Sequence, residues 1–224
     1  MKKSNENRGE NILNFASKKS KQVNQQVNFI LKKNGREKFA YFLAGFFEGE
    51  GSLWASVNYQ PKLRINIRIN IGFSITQHIS GLPLLYSCKY YFQTGRIYLK
   101  NNSNDVYVFE INDRTSIREK VFPFLENYVL PLGCKFNDQT TWNQDKQKSI
   151  LIPGTFSLIK ELVTLFDQKK HLEPNQQGII RCIEIVYLTN PLGKGKKRKR
   201  SLEETITLVK QSRLWVSDSS PSQL

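Results

Sequence analysis

Apolar residues crowd almost every side of the stretch Phe39 to Phe47, which predicts a helix running from about Glu37 and buried on more than one face. It ends in Glu48-Gly49-Glu50-Gly51, a glycine-rich handover to a strand. Ser52 to Asn58 then alternates, with Leu53, Ala55 and Val57 against Ser52, Trp54, Ser56 and Asn58. After a turn at Gln60-Pro61 the alternation resumes: Ile65, Ile67, Ile69, Ile71, Phe73 and Ile75 against Arg64, Asn66, Arg68, Asn70, Gly72 and Ser74. That is the pattern of a long, half-buried strand in an antiparallel sheet. Ser80 is read as the cap of a helix over 82–92, with Pro83 in its first turn. Thr94-Gly95 opens a hairpin with strands Arg96 to Lys100 and Val106 to Asn112. Ser116-Ile117-Arg118-Glu119 reads as a capping box, opening a helix that breaks or restarts at Pro123 and ends near Tyr128.

Two more amphipathic helices follow, over 155–170 and about 174–188, the second stopped by Asn190-Pro191. A second capping box, Ser201-Leu202-Glu203-Glu204, opens a helix to about residue 212. From 37 to 128 the order is helix, two strands, helix, two strands, helix. It predicts an α+β fold: one four-stranded antiparallel sheet with helices on a single face, and N- and C-terminal helical extensions. The opposite face of the sheet is then left for something else to cover.

A chain of 224 residues accommodates one main fold with extensions. Net charge sharpens the picture: 34 Lys and Arg against 19 Asp and Glu give +15, and a polyanion is the natural partner of such a surface. The run Lys194 to Arg200 holds six of these charges, so +9 remains on the rest of the chain. That run reads either as a nuclear localisation signal or solvated loop, or as a loop that contacts phosphates. Cys88, Cys134 and Cys182 are widely spaced, odd in number and without a CxxC, which points to neither a disulfide framework nor a zinc site. With two histidines, His78 and His171, sites built on several imidazoles are excluded. No apolar run nears the roughly 18 residues needed to span a bilayer, and Met1-Lys2-Lys3 leads into polar sequence, so a soluble protein with no membrane partner is expected. Residues 1–36 read as a polar extension, flexible at first and then weakly helical, and the Ser-rich C-terminus as disordered.

Two features carry candidate chemistry. Glu48 and Glu50 sit at the negative pole of the helix dipole, an unfavourable placement worth about 0.3–1 kcal/mol each. A divalent cation with oxygen ligands relieves such crowding. Ala44, Gly45 and Gly49 on the same helix would let a second backbone approach closely. The second feature is the polar face of the long strand: Arg64, Asn66, Arg68, Asn70 and Ser74 include no acid, and Arg and Asn are the side chains that read guanine and adenine edges. The same alternation also fits a plain solvated face. Ser56 and Asn58 on the first strand, and Arg96, Tyr98 and Lys100 on the hairpin, present similar hydrogen-bonding or basic tips.

At Leu43 to Gly51, the strand Arg64 to Ser74 and Ile75-Thr76-Gln77, the chain resembles a LAGLIDADG homing endonuclease of the single-motif type, a family encoded largely within group I introns. The resemblance covers residues 37–192, leaving 1–36 as an extension and 193–224 as a basic loop, helix and tail. It implies the αββαββα homing-endonuclease fold and a homodimer whose motif helices pack side by side through Ala44, Gly45, Glu48 and Gly49. It further implies a saddle of two sheets over duplex DNA, and a long pseudo-palindromic target such as the intron insertion site in an organellar large-subunit ribosomal RNA gene. Glu50 is the implied metal ligand with the Gly49 carbonyl, holding Mg²⁺ or Mn²⁺ in its place; Gln77 is the implied solvent-positioning residue and Lys135 the basic residue beside the scissile phosphate. Lys197 and Arg198 are added as DNA contacts. The position four beyond the glutamine, often basic in the family, is Gly81 here. Intron RNA is the partner if the chain is instead a maturase, and a non-cleaving DNA-binding protein is the other alternative. Abundant Asn, Lys and Ile fit an AT-rich genome, hence an organelle, chloroplast or mitochondrion, ahead of the nucleus.

Overall fold

The computed structural model describes residues 35–133, 135–143, 148–152, 154–189 and 199–212, with Gln25 and Asn28. Most of the N-terminal extension, Cys134, the segment 190–198 with Lys197 and Arg198, and the tail after Ser212 lie outside the described residues.

Helix α1 (Gly35–Glu50) buries Phe39, Leu43 and Phe47 at four-residue spacing, flanked by Ala40 and Ala44. Its end is fixed by a close approach: a Cβ added at Gly51 would fall within the Phe47 ring, so only glycine lets the chain pass directly into β1 (Gly51–Tyr59). Strand β2 (Ile67–His78) buries Ile67, Ile71, Phe73 and Ile75. It starts three residues later than the alternation predicts. Gln60 N donates to Asn66 O (2.8 Å), Leu63 N to Gln60 O (3.0 Å) and Asn66 N to Leu63 O (3.0 Å), closing a turn in which Asn66 has φ +59°. Asn tolerates that left-handed conformation. Arg64, Ile65 and Asn66 are therefore turn residues, not the start of a strand.

Helix α2 (Leu82–Phe92), strands β3 (Arg96–Leu99) and β4 (Val106–Ile111) and a composite helix α3 over 114–129 complete the repeat. The sheet order is β1-β2-β4-β3, antiparallel where β3 meets β4. Two expected caps are different: α2 begins at Gly81 with no side-chain cap, and α3 is capped by Asp113, which accepts from Ser116 N at 2.7 Å. Ser80 falls one residue before the cap position, with its hydroxyl 3.0 Å from His78 Nδ1, and Ser116 lies inside the first turn, where its own N–H is the group capped. Pro123 removes a backbone donor inside α3, and the five-residue turns Ile117–Val121 and Leu125–Val129, wider than an α-turn, flank it.

A hairpin absent from the sequence reading follows, β5 (Gln139–Asn143) paired antiparallel with β6 (Lys148–Ile152). Helices α4 (Thr155–Asp167), α5 (Gln177–Thr189) and α6 (Leu202–Lys210) close the chain, and Ser201 with Glu204 forms the expected capping box on α6. Among the described residues no helix is long and apolar enough to cross a membrane.

The described residues group into two compact units. The first takes residues up to Ser52, Ser74–Ile111 and Phe124–Pro131. Its core turns on Phe124, whose ring meets those of Phe92 (5.4 Å), Tyr91 (5.9 Å) and Phe47 (6.4 Å); Phe92 in turn stacks on Phe109 of β4 at 6.0 Å. The second takes Leu53–Phe73, Asn112–Pro123 and residues from Leu132 on. There Ile159 and Leu162 of α4 and Ile179, Cys182 and Ile183 of α5 are fully enclosed, with Arg181 bridging both oxygens of Glu161 at 2.7 and 2.9 Å. Burial pushes the Cys182 thiol up to about 12 and likewise raises that of Cys88, so neither is a reactive thiolate.

Candidate functional site

The C-terminal end of α1 presents Gly49 and Glu50 to solvent. Among the described residues no side chain pairs with the Glu50 carboxylate. Glu48, two positions back, is half-buried with Oε2 out of solvent. An exposed carboxylate beside the orphan carbonyls of a helix end is a pair of hard oxygen donors. That set fits a cation which keeps several waters or takes substrate oxygens, as Mg²⁺ does. No cluster of three His, Cys, Asp or Glu that could hold a metal ion occurs among the described residues.

Along α1 the outward face carries Phe42, Gly45, Phe46 and Gly49. Phe42 is 54% exposed and stacks on Phe46 at 6.0 Å, and a Cβ at Gly45 or Gly49 would meet nothing within 4 Å. Ala44 is not on this face. It is 2% exposed and belongs to the chain's own core, which narrows the expected small-residue stripe to Gly45 and Gly49.

Gln77 lies next to the end of β2, which is tied down: Ile79 N donates to Asp105 O at 2.6 Å, and His78 Nε2 lies 3.2 Å from Asp105 Oδ2. The Gln77 amide occupies the space that Gly81 leaves, since a Cβ there would sit 2.6 Å from Gln77 Oε1. A basic side chain at this position would displace the glutamine. Gly49, Glu50 and Gln77 fall in the first unit and Lys135 in the second, where its ammonium lies 5.1 Å from the centre of the Phe136 ring.

On the sheet, Arg68 is exposed and Ser56, Asn70 and Ser74 are partly so, with Asn58 exposed near the end of β1. Trp54, on the same face, lies across Gly72: a Cβ on Gly72 would fall on the indole. Its place on the polar face is thus explained by a neighbour small enough to receive the ring. Arg64 is exposed at the turn, whereas Asn66 is engaged, its Nδ2 donating to Leu208 O at 3.3 Å.

Arg96 and Tyr98 on β3, and Lys100 just past its end at Leu99, are exposed. Arg96 has an unforeseen partner. Its Nε (3.0 Å) and Nη2 (2.6 Å) both donate to Oε2 of Glu110, directly opposite on β4. The Glu110 side chain is 8% exposed, and its hydrogen bond and charge hold the Arg96 guanidinium above its ordinary pKa. The signal that could have found this pair is a lone acid in the otherwise apolar Val106 to Ile111, at the register opposite an arginine.

This sheet with its acidic helix end is the homing-endonuclease fold. It superposes over 91% of this chain and 95% of the group I intron-encoded homing endonuclease I-CeuI, complexed with DNA, at TM-score 0.64 and 24% identity. Residues 43–145 match the family model described as LAGLIDADG endonuclease. The DNA endonuclease I-CeuI of Chlamydomonas moewusii is 43% identical over 89 residues, which are 40% of this chain and 41% of that protein's length. The homing endonuclease I-ApeII of Aeropyrum pernix is 26% identical over 168 residues, 75% of this chain and 88% of the relative.

Proposed function

We propose that this protein is a homodimeric homing endonuclease that hydrolyses both strands of a long, pseudo-palindromic DNA site with the help of Mg²⁺ or Mn²⁺. The observation that carries the reading is the exposed Gly49-Glu50 turn, which leads directly into a sheet whose polar face bears Arg68, Asn70 and Ser74. Two copies meeting on the open Gly45 and Gly49 face of α1 would bring two such turns to one axis, under a two-fold target. Glu50 and the Gly49 carbonyl would hold the divalent cation, which supplies Lewis-acid polarisation of the phosphate and a more acidic water.

The remaining work falls to the chain's own groups. Gln77, held over Gly81, has an amide suited to fixing the attacking water, whose oxygen bonds to phosphorus as the 3′-oxygen leaves. The Lys135 ammonium would balance charge on the phosphate. Arg68, Asn70 and Arg96 would read base edges in the major groove, and Lys197 and Arg198 would add phosphate contacts. The names of the relatives support the further proposal that the gene lies in a group I intron. An organellar large-subunit ribosomal RNA gene as host, and an organelle as location, rest on the sequence resemblance and composition.

The test is cleavage of a randomised duplex library by the purified protein with Mg²⁺. Glu50→Gln should lower cleavage by more than about a hundredfold while retaining specific binding. Undiminished cutting by Glu50→Gln would show that the residue holds no metal, and no cutting by the wild type alongside tight binding to structured RNA would replace the nuclease with a maturase.

A further inference from the structure

Helix α6 lies outside the segment 43–145 that carries the family pattern, yet it reaches back to the turn between β1 and β2. Two contacts bracket that turn. Before it, the Arg200 guanidinium sits 4.5 Å above the centre of the Tyr59 ring; at its last residue, Asn66 Nδ2 donates to the Leu208 carbonyl at 3.3 Å. Helix α6 is itself anchored, because the Tyr187 hydroxyl on α5 lies 2.9 Å from the carbonyls of Arg200 and Ser201 and 2.7 Å from Thr205 Oγ1. The turn has little else to order it. Pro61, Lys62, Leu63 and Arg64 are all exposed, and among the described residues three backbone hydrogen bonds linking Gln60, Leu63 and Asn66 close it.

We infer that residues 199–210 form a brace that sets the conformation of the β1–β2 turn, with Asn66 a positioning residue, so that base selection by Arg64 and Arg68 depends on the C-terminal helix. The inference rests on the DNA-reading role proposed above. Reading adenine would require Asn66 to aim both Nδ2 and Oδ1 at one base edge, and Nδ2 is committed to α6. An ordered turn also spares the ordering cost an exposed arginine otherwise meets on binding.

Two variants of the full chain test this. Asn66→Asp keeps a residue that tolerates positive φ and removes the donor; Arg200→Gln removes the cation over Tyr59. Amide hydrogen exchange without DNA should quicken about tenfold at Gln60, Leu63 and Asn66 in each, with Ile71 and Phe73 unchanged. Selection from the duplex library should broaden over several adjacent base pairs per half-site, and by a similar pattern in both variants. Unchanged exchange in both would overturn the brace. So would loss of preference at a single base pair in Asn66→Asp with exchange unchanged, since that is the mark of a direct reader. A wild type that selects no DNA sequence, with exchange still quickened in the variants, would sink the endonuclease reading and leave the brace as an internal contact only.

Discussion

His171 shows how a residue unrelated to the proposed site still sets a measurable property. Its ring lies 4.5 Å from that of Phe166, and Nδ1 is buried with no hydrogen-bond partner among the described residues. Burial first, and then the positive charge of Arg114, lowers the imidazole pKa from its usual 6.5. The folded state thus binds the proton less readily than the unfolded chain. The associated stability is complete above the unfolded value of 6.5 and declines as the pH falls through it toward the folded pKa. Urea midpoints should fall on going from about pH 7.5 to about pH 5, and His171→Gln should flatten that part of the profile. At the same scale, Glu50 and Gln77 stand out as candidates because short sequence patterns mark them. Glu110 and Asn66 are harder to read: the first shows only as a lone acid in an apolar strand, its partner set by the register opposite Arg96, and the second is bonded to a carbonyl 142 residues away, which leaves no local trace.

Among the elements, the strands and most helices follow the period of their apolar residues, and α4 and α5 need only that pattern to be found. Boundaries depend on finer chemistry. The alternation in β2 runs on into Arg64 because period two says nothing of backbone sign, and a single left-handed Asn66 ends the strand. The β5–β6 hairpin was missed although Thr140, Thr141, Ile150 and Ile152 are β-branched, since no tight two-residue turn signal separates its strands. For α3 the choice of cap yields a sharp test. Asp113→Ala should cost about 0.5–2 kcal/mol, whereas Ser116→Ala, past the true cap, should change stability little. Equal effects in denaturant titrations would return the cap to Ser116.

For the whole molecule, net charge is the property that bears most directly on salt dependence. On the proposed function, a chain of net charge +15 should bind duplex DNA with a strong salt dependence, each neutralised phosphate adding about −0.9 to the slope of log K against log salt. The Arg96–Glu110 pair departs from this accounting, because the arginine carries its counter-charge within the sheet. Glu110→Gln would release that charge, and the slope should steepen by up to about 0.9; an unaltered slope would mean that the freed guanidinium does not reach a phosphate. The wild-type pairing has a practical consequence. An arginine already neutralised from the neighbouring strand displaces few ions when it docks, so the part of recognition it provides should persist at ionic strengths that loosen the phosphate contacts. Discrimination between target and non-target would then improve, rather than merely weaken, as salt rises.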